Sequence, residues 1–205
     1  MSPIKLLLNC RYNLVIKQRC CIIQGFPEDL KSILFFNTRV GELNSTVFTS
    51  DALSSVTNLT LSSTATTAIL PGALSKFQQL EVLELSDNDL KKVSPVWFSH
   101  PEVLKNIILS SNIIENIDVT DLSNFTGLVS LDLSGNHIHT VSLGSFSDLS
   151  HLQVLDLSGN ALMYVNPLAF QPLSNTKIHL DGNPWDCSCG KPDFEDFVKF
   201  LQGQP

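Results

Sequence analysis

The sequence predicts an α/β-class solenoid, with about seven parallel strands on a concave face and loops and short turns on the convex face. Three observations predict it. Near-identical lines recur at a fixed spacing, an asparagine closes each well-formed line, and a second bulky apolar residue follows each line. The lines are Leu80-Glu-Val-Leu-Glu-Leu-Ser-Asp-Asn88, Leu104-Lys-Asn-Ile-Ile-Leu-Ser-Ser-Asn112, Leu128-Val-Ser-Leu-Asp-Leu-Ser-Gly-Asn136 and Leu152-Gln-Val-Leu-Asp-Leu-Ser-Gly-Asn160. Their starts at 80, 104, 128 and 152 give a period of 24. A shortened copy, Ile178-His-Leu-Asp-Gly-Asn183, follows them. Degenerate copies begin at Leu30 and Val56, where Thr38 and Thr64 take the asparagine's place.

Each element follows from that line. Apolar residues at the fourth and sixth places alternate with polar ones, the period of a strand with one buried face. Phe48, Leu74, Phe98, Leu122, Phe146 and Phe170 bring the chain back to the same core once per turn. One turn cannot bury these groups alone; stacked turns can. At about 4.8 Å per strand, six steps span about 29 Å. After each strand the chain turns sharply and leaves backbone groups inside the coil. An amide side chain both donates and accepts, so Asn88, Asn112, Asn136, Asn160 and Asn183 are expected to form a ladder between neighbouring turns. The threonines can do part of this, which predicts a looser N-terminal end.

On these residues the chain resembles an extracellular leucine-rich repeat protein of the 24-residue class, an α/β horseshoe. The signature LxxLxLxxNxLxx(L/V/I) is met across about three quarters of the sequence. The resemblance implies a cap at each end. Asn183-Pro-Trp185-Asp-Cys187-Ser-Cys189 is similar to the start of the family's cysteine-rich C-terminal flanking cap, with Trp185 covering the last apolar layer. Phe194, Phe197, Val198 and Leu201 then space out a short amphipathic helix, with Asp193 as its N-cap. The family cap pairs its CxC with two further cysteines, which do not occur before Pro205, so this cap is read as truncated and the pairing stays open. Cys20-Cys21-Ile-Ile-Gln-Gly-Phe-Pro27 is similar to the end of an N-terminal cap, here partial. The expected division is 1–29 N-terminal segment and partial cap, 30–183 repeats, and 184–205 truncated C-terminal cap.

Composition bounds the rest. A chain of 205 residues suits one domain. With 43% apolar and 16% charged residues it is not a disordered charged tail. The net charge is −7, and no basic face for nucleic acid is apparent. Residues 1–27 hold Lys5, Arg11, Lys17 and Arg19 and no acid, so they carry +4 and the remainder carries −11. No apolar run reaches the roughly 18 residues of a membrane-spanning helix. Leu6, Leu7 and Leu8 are too short a core for a secretory signal, which needs about 7–15 apolar residues. The five cysteines, Cys10, Cys20, Cys21, Cys187 and Cys189, are the disulfide candidates. They occupy only the ends of the chain, and their odd number leaves at least one free or paired with another chain. Asn44-Ser-Thr46, Asn58-Leu-Thr60 and Asn124-Phe-Thr126 are N-glycosylation sequons. Cysteine-rich ends and sequons together point to an extracellular protein, secreted or held at the cell surface.

A bare concave sheet is where such a protein is expected to bind. The residues between the core leucines are mostly polar: Thr57, Asn58, Thr60, Glu81, Glu84, Lys105, Asn106, Ser130, Asp132, Gln153 and Asp156. Val82, Ile108 and Val154 are apolar exceptions, the mark of a contact patch. The expected partner-binding set is therefore Val82, Glu84, Asn106, Ile108, Ser130, Asp132, Val154 and Asp156. The other reading of Glu84, Asp132 and Asp156 is the ordinary polar filling of the repeat. His137 and His139 are expected to point outward around a buried Ile138, and two such ligands do not make a metal site. With no phosphate loop, nucleophile elbow or HExxH present, neither an enzyme nor a cofactor is expected. The expected function is an extracellular binding module that recognises a protein partner through the concave face, without nucleic acid. The alternatives are an ectodomain fragment of a cell-surface or innate-immune receptor, a structural matrix protein, or a truncated product.

Overall fold

The computed structural model describes residues 4–9, 30–36, 38–186 and 194–202. Its strands are β1 (Ile4–Asn9), β2 (Leu30–Phe36), β3 (Glu42–Leu43), β4 (Asn58–Thr60), β5 (Ala68–Ile69), β6 (Val82–Glu84), β7 (Asn106–Ile108), β8 (Asn116–Ile117), β9 (Ser130–Asp132), β10 (Thr140–Val141), β11 (Val154–Asp156) and β12 (Lys177–His179). Helix α1 spans Phe194–Gln202. The main sheet runs β1-β2-β4-β6-β7-β9-β11-β12, and each described pairing in it is parallel. The chain thus forms a leucine-rich repeat solenoid.

Seven strands between Leu30 and His179 match the seven expected turns. The sheet holds one more. Ile4–Asn9, in the stretch read as an N-terminal segment and partial cap, pairs with β2, setting Leu6 opposite Ile33. Register follows the repeat through the middle of the sheet: Asn58 opposes Val82, then Asn106, Ser130 and Val154, each 24 residues on. The ends depart from it, with 26 residues between Ser32 and Asn58 and 23 between Val154 and Lys177.

The strands from β4 to β11 in this sheet are three residues long because only the middle residue is buried. Leu59, Leu83, Ile107, Leu131 and Leu155 are fully buried, and their neighbours on either side are half-buried. Leu85, Leu109, Leu133 and Leu157 follow them inward. The six returning residues from Phe48 to Phe170 are all buried, as expected. Phe77 and Phe125 join them, in edge-on contact with Phe48 at 5.0 Å and Phe98 at 5.9 Å. Pro95, Pro101 and Pro167 each open a 3-10 turn, where a fixed φ helps and the missing N–H is not needed.

The asparagine ladder forms. Asn136 Nδ2 donates to Leu133 O in its own turn (3.0 Å) and to Leu109 O in the preceding one (2.9 Å), while its Oδ1 accepts from Ile114 N–H (3.1 Å). Asn112, Asn160 and Asn183 repeat this bridge. Asn88 accepts instead from the N–H of both Thr64 and Thr66.

At the C-terminal end the expected cover is in place. Trp185 Nε1 donates to Leu180 O (3.1 Å), and its ring meets Phe197 at 5.0 Å. The predicted helix is α1, and Phe200 on it stacks on Phe170 at 5.2 Å. Cys10, Cys20, Cys21, Cys187, Cys189 and the expected N-cap Asp193 lie outside the described residues.

Candidate functional site

Strand alternation turns two side chains per strand away from the core, and parallel register aligns them in two rows. One row runs Asn58, Val82, Asn106, Ser130, Val154 and Lys177; the other runs Thr60, Glu84, Ile108, Asp132, Asp156 and His179. All eight expected partner-binding residues fall in these rows, and all are half-buried. Among the described residues, no element is laid across this concave face. Val82 and Glu84 oppose Asn106 and Ile108, which in turn oppose Ser130 and Asp132.

The acids of the second row have a local task that the sequence pattern alone did not reveal. Asp132 Oδ1 accepts from Ser134 N–H (2.9 Å) and from its hydroxyl (2.6 Å); Asp156 holds Ser158 with the same distances. Glu84 Oε1 accepts from Ser86 N–H (3.2 Å), from the Ser86 hydroxyl and from Ser62 Oγ (3.0 Å). Each carboxylate thus closes the turn that follows its own strand. The signal was present as an acid followed two residues later by serine. Among the described residues the second oxygens of Asp132 and Asp156 have no protein partner, so they remain available to a ligand. Ile108 breaks the pattern. It places an apolar side chain between Glu84 and Asp132, and Ser110 has no acid two residues before it.

Three carboxyls with displaced titration lie outside the main sheet. Asp51 is held below its ordinary value by the hydrogen bond and charge of Lys76, at 2.6 Å. Glu102 is lowered by its own backbone N–H and then by His100. Burial raises Asp121. His137 and His139 are exposed on either side of a buried Ile138, with His139 Nδ1 within 3.0 Å of Thr140 Oγ1. Among the described residues, no three potential ligands come together around a metal position.

A second surface was also not apparent from the sequence. Leu70, Val96, Val119, Leu143 and Leu168 are exposed, and each stands 14 to 16 residues after the first residue of its line. Val96, Val119 and Leu143 are 54%, 51% and 55% exposed. They recur at near-equivalent places of successive turns, outside the main sheet.

The family model for the leucine rich repeat matches residues 54–114 and 126–184, more than half of the chain. The chain belongs to the leucine-rich repeat family. A search of curated proteins finds no match. Among solved structures, this leucine-rich repeat chain is similar to the receptor chain in the crystal structure of a TLR13–ssRNA13 complex, at 28% identity and a TM-score of 0.74. The match covers 86% of this chain and 24% of that one, so the chain spans about a quarter of that receptor chain's length. Among the described residues, no helix is long and apolar enough to cross a membrane.

Proposed function

We propose that the chain is an extracellular leucine-rich repeat module of the 24-residue class, without catalytic activity, that recognises a protein partner through its concave face. The observation that carries this is the set of half-exposed apolar side chains, Val82, Ile108 and Val154, in an otherwise polar and uncovered sheet. Glu84, Asn106, Ser130, Asp132 and Asp156 complete the contact set. In this reading residues 1–29 and 184–205 flank the repeats as caps. Their five cysteines are the disulfide candidates, and the protein is secreted or held at the cell surface.

The similarity to TLR13 favours a second reading, a portion of an innate-immune receptor ectodomain. TLR13 in that crystal structure is in complex with an ssRNA, and this chain is poorly suited to such a ligand. Glu84, Asp132 and Asp156 line the second row and would repel phosphates, and the chain carries −7 overall.

Surface display of the chain against a panel of extracellular proteins, with a single-stranded RNA as a separate arm, tests both readings. The expected outcome is saturable binding to a protein and none to the RNA. Alanine at Glu84, Ile108 or Asp132 should then weaken that binding about tenfold or more. Unchanged affinity in all three variants overturns the concave-face reading, and salt-sensitive RNA binding overturns the choice of a protein partner.

A further inference from the structure

Of the three sequons, Asn58-Leu59-Thr60 lies in the main sheet. Strand alternation sets Asn58 and Thr60 on the concave face and buries Leu59 completely. Thr57 Oγ1 donates to Asn58 Oδ1 at 2.8 Å, the shorter of the hydroxyl's two contacts, the other being Lys31 O at 3.2 Å. With its oxygen held, the amide nitrogen Nδ2 has no partner among the described residues. The in-register neighbours of Asn58 are Ser32, a small side chain, and Val82. The other two sequons lie elsewhere. Asn44 follows β3, and its Oδ1 is closed by Thr46 N–H (2.9 Å) and Thr46 Oγ1 (2.6 Å). Asn124 is exposed at φ 65° in the turn before Leu128, its N–H donating to Asp148 Oδ2 at 2.8 Å.

We propose that Asn58 carries an N-linked glycan that stands on the concave face and covers its N-terminal strands. The inference rests on the extracellular reading above. The co-reactant is a lipid-diphosphate-linked oligosaccharide, met during entry into the secretory pathway. Asn58 Nδ2 bonds to the sugar C1, the C1–O bond to the lipid diphosphate breaks with its electron pair leaving on the diphosphate, and one amide proton passes to a base. A glycan so placed overlies β2 and β4 and reaches the edge of Val82. The open part of the face is then β6 to β12, where Val82, Ile108 and Val154 lie. A glycan on Asn44 or Asn124 leaves the concave face uncovered.

The experiment uses the full chain in animal cells, once from its own Met1 and once behind a secretory leader. The protein from the medium is digested with an amidase that removes N-glycans and converts the acceptor asparagine to aspartate, then peptide-mapped. The expected result is aspartate at position 58 in the leader-directed protein, and loss of one glycan's mass on Asn58→Gln. Thr60→Ala removes the same sequon while keeping Asn58, and should lose the same mass. The map of the unaltered protein decides the matter even if a variant fails to fold. Unmodified Asn58 in secreted protein overturns the proposal, whatever happens at Asn44 and Asn124. An unmodified chain from Met1 beside a modified leader-directed chain overturns export from this N-terminus and leaves Asn58 an acceptor.

Discussion

The turns from β6 to β12 and the turns around β2 and β4 are built on one plan with different materials. In the later turns an asparagine joins a carbonyl of its own turn to a carbonyl and an N–H of the turn before it, Asn88 taking two N–H groups. In the earlier turn Thr64 Oγ1 reaches Leu61 O (2.8 Å), Thr66 and Asn88, all within its own turn or the next. Links back to β3's turn are made by backbone: Val40 N–H to Thr64 O, Thr67 N–H to Gly41 O and Leu70 N–H to Leu43 O. The residue before each of these ladder positions is left-handed. Gly135, Gly159 and Gly182 supply it at no steric cost, but Ser63, Asp87 and Ser111 must hold φ near 55° with a side chain. The offset between turns slips from 24 to 26 residues at the same end. The offset falls to 23 at the other end, beside Gly182, and stays at 24 where Asp87 and Ser111 are strained, so spacing and strain vary independently; the slip between β2 and β4 is where the sequon at Asn58 lies.

The largest expected effect comes from cutting the ladder. Asn136→Ala strands the Ile114 N–H and takes one of two donors from Leu109 O and from Leu133 O, which keep Asn112 Nδ2 and Asn160 Nδ2; the expected loss is about 3 kcal/mol, since a buried unpaired group costs about 1–3 kcal/mol and each lost hydrogen bond about 0.5–1.5 kcal/mol. Thr64→Val should cost about half as much. Chemical denaturation of both variants measures the gap, and equal losses would erase the distinction between the two ends. Next is Gly127→Ala. An added Cβ meets Glu102 O at 2.2 Å, a backbone atom that cannot swing aside, so a loss of about 2–3 kcal/mol is expected. Gly41→Ala meets open space and carries only its left-handed φ of 68°, so it should lose about 1 kcal/mol. Exchange at the left-handed position should reverse sign between the turns that hold a serine there and those that hold a glycine. Ser111→Gly is expected to raise the thermal midpoint, by up to about 1 kcal/mol of stability, and Gly135→Ala to lower it by a similar amount.

The smallest effect belongs to Asp121, between β8 and β9. Burial raises its pKa above 3.8, so the folded state disfavours its charged form. Below the unfolded value both states hold the proton and nothing is lost. As pH rises through the folded value the penalty appears, and it persists to neutrality. Asp121→Asn keeps an acceptor for Asp118 N–H and should gain a few tenths of a kcal/mol at pH 7 after screening, and nothing near pH 3. A gain independent of pH would assign the effect to something other than charge burial.

The sequence made the repeat legible because each buried position is dictated locally. The places held by Leu83, Leu85 and Asn88 recur in every well-formed line, and the core and the ladder follow from them; Trp185 came from the resemblance to a family cap, and α1 from the spacing of its own apolar residues. Strand β1 was not legible. Ile4–Asn9 carries no asparagine line and pairs with a strand beginning only at Leu30, a non-local choice that periodicity does not reach. The bonds from Asp132 and Asp156 to their serines were visible as letters of the repeat, but not as chemistry. They show that one oxygen of each acid serves the turn, which divides those residues between structure and any partner. The exposed apolar set was hidden because Leu70, Val96, Val119, Leu143 and Leu168 shift by a residue or two between turns, so no single repeat position is apolar throughout.

That set is the molecule's own rival to the concave face. Val96, Val119 and Leu143 are more than half exposed, whereas Val82, Ile108 and Val154 are half-buried. Exposure alone favours the outer set. Flat register, neighbouring free carboxylate oxygens and the absence of any covering element among the described residues favour the sheet. The deciding measurement compares two triple variants, Val82→Ser with Ile108→Ser and Val154→Ser, and Val96→Ser with Val119→Ser and Leu143→Ser, for affinity toward the protein partner found by display. The concave-face account predicts a loss of at least about tenfold in the first variant and little change in the second. Retained affinity in the first and loss in the second would contradict it.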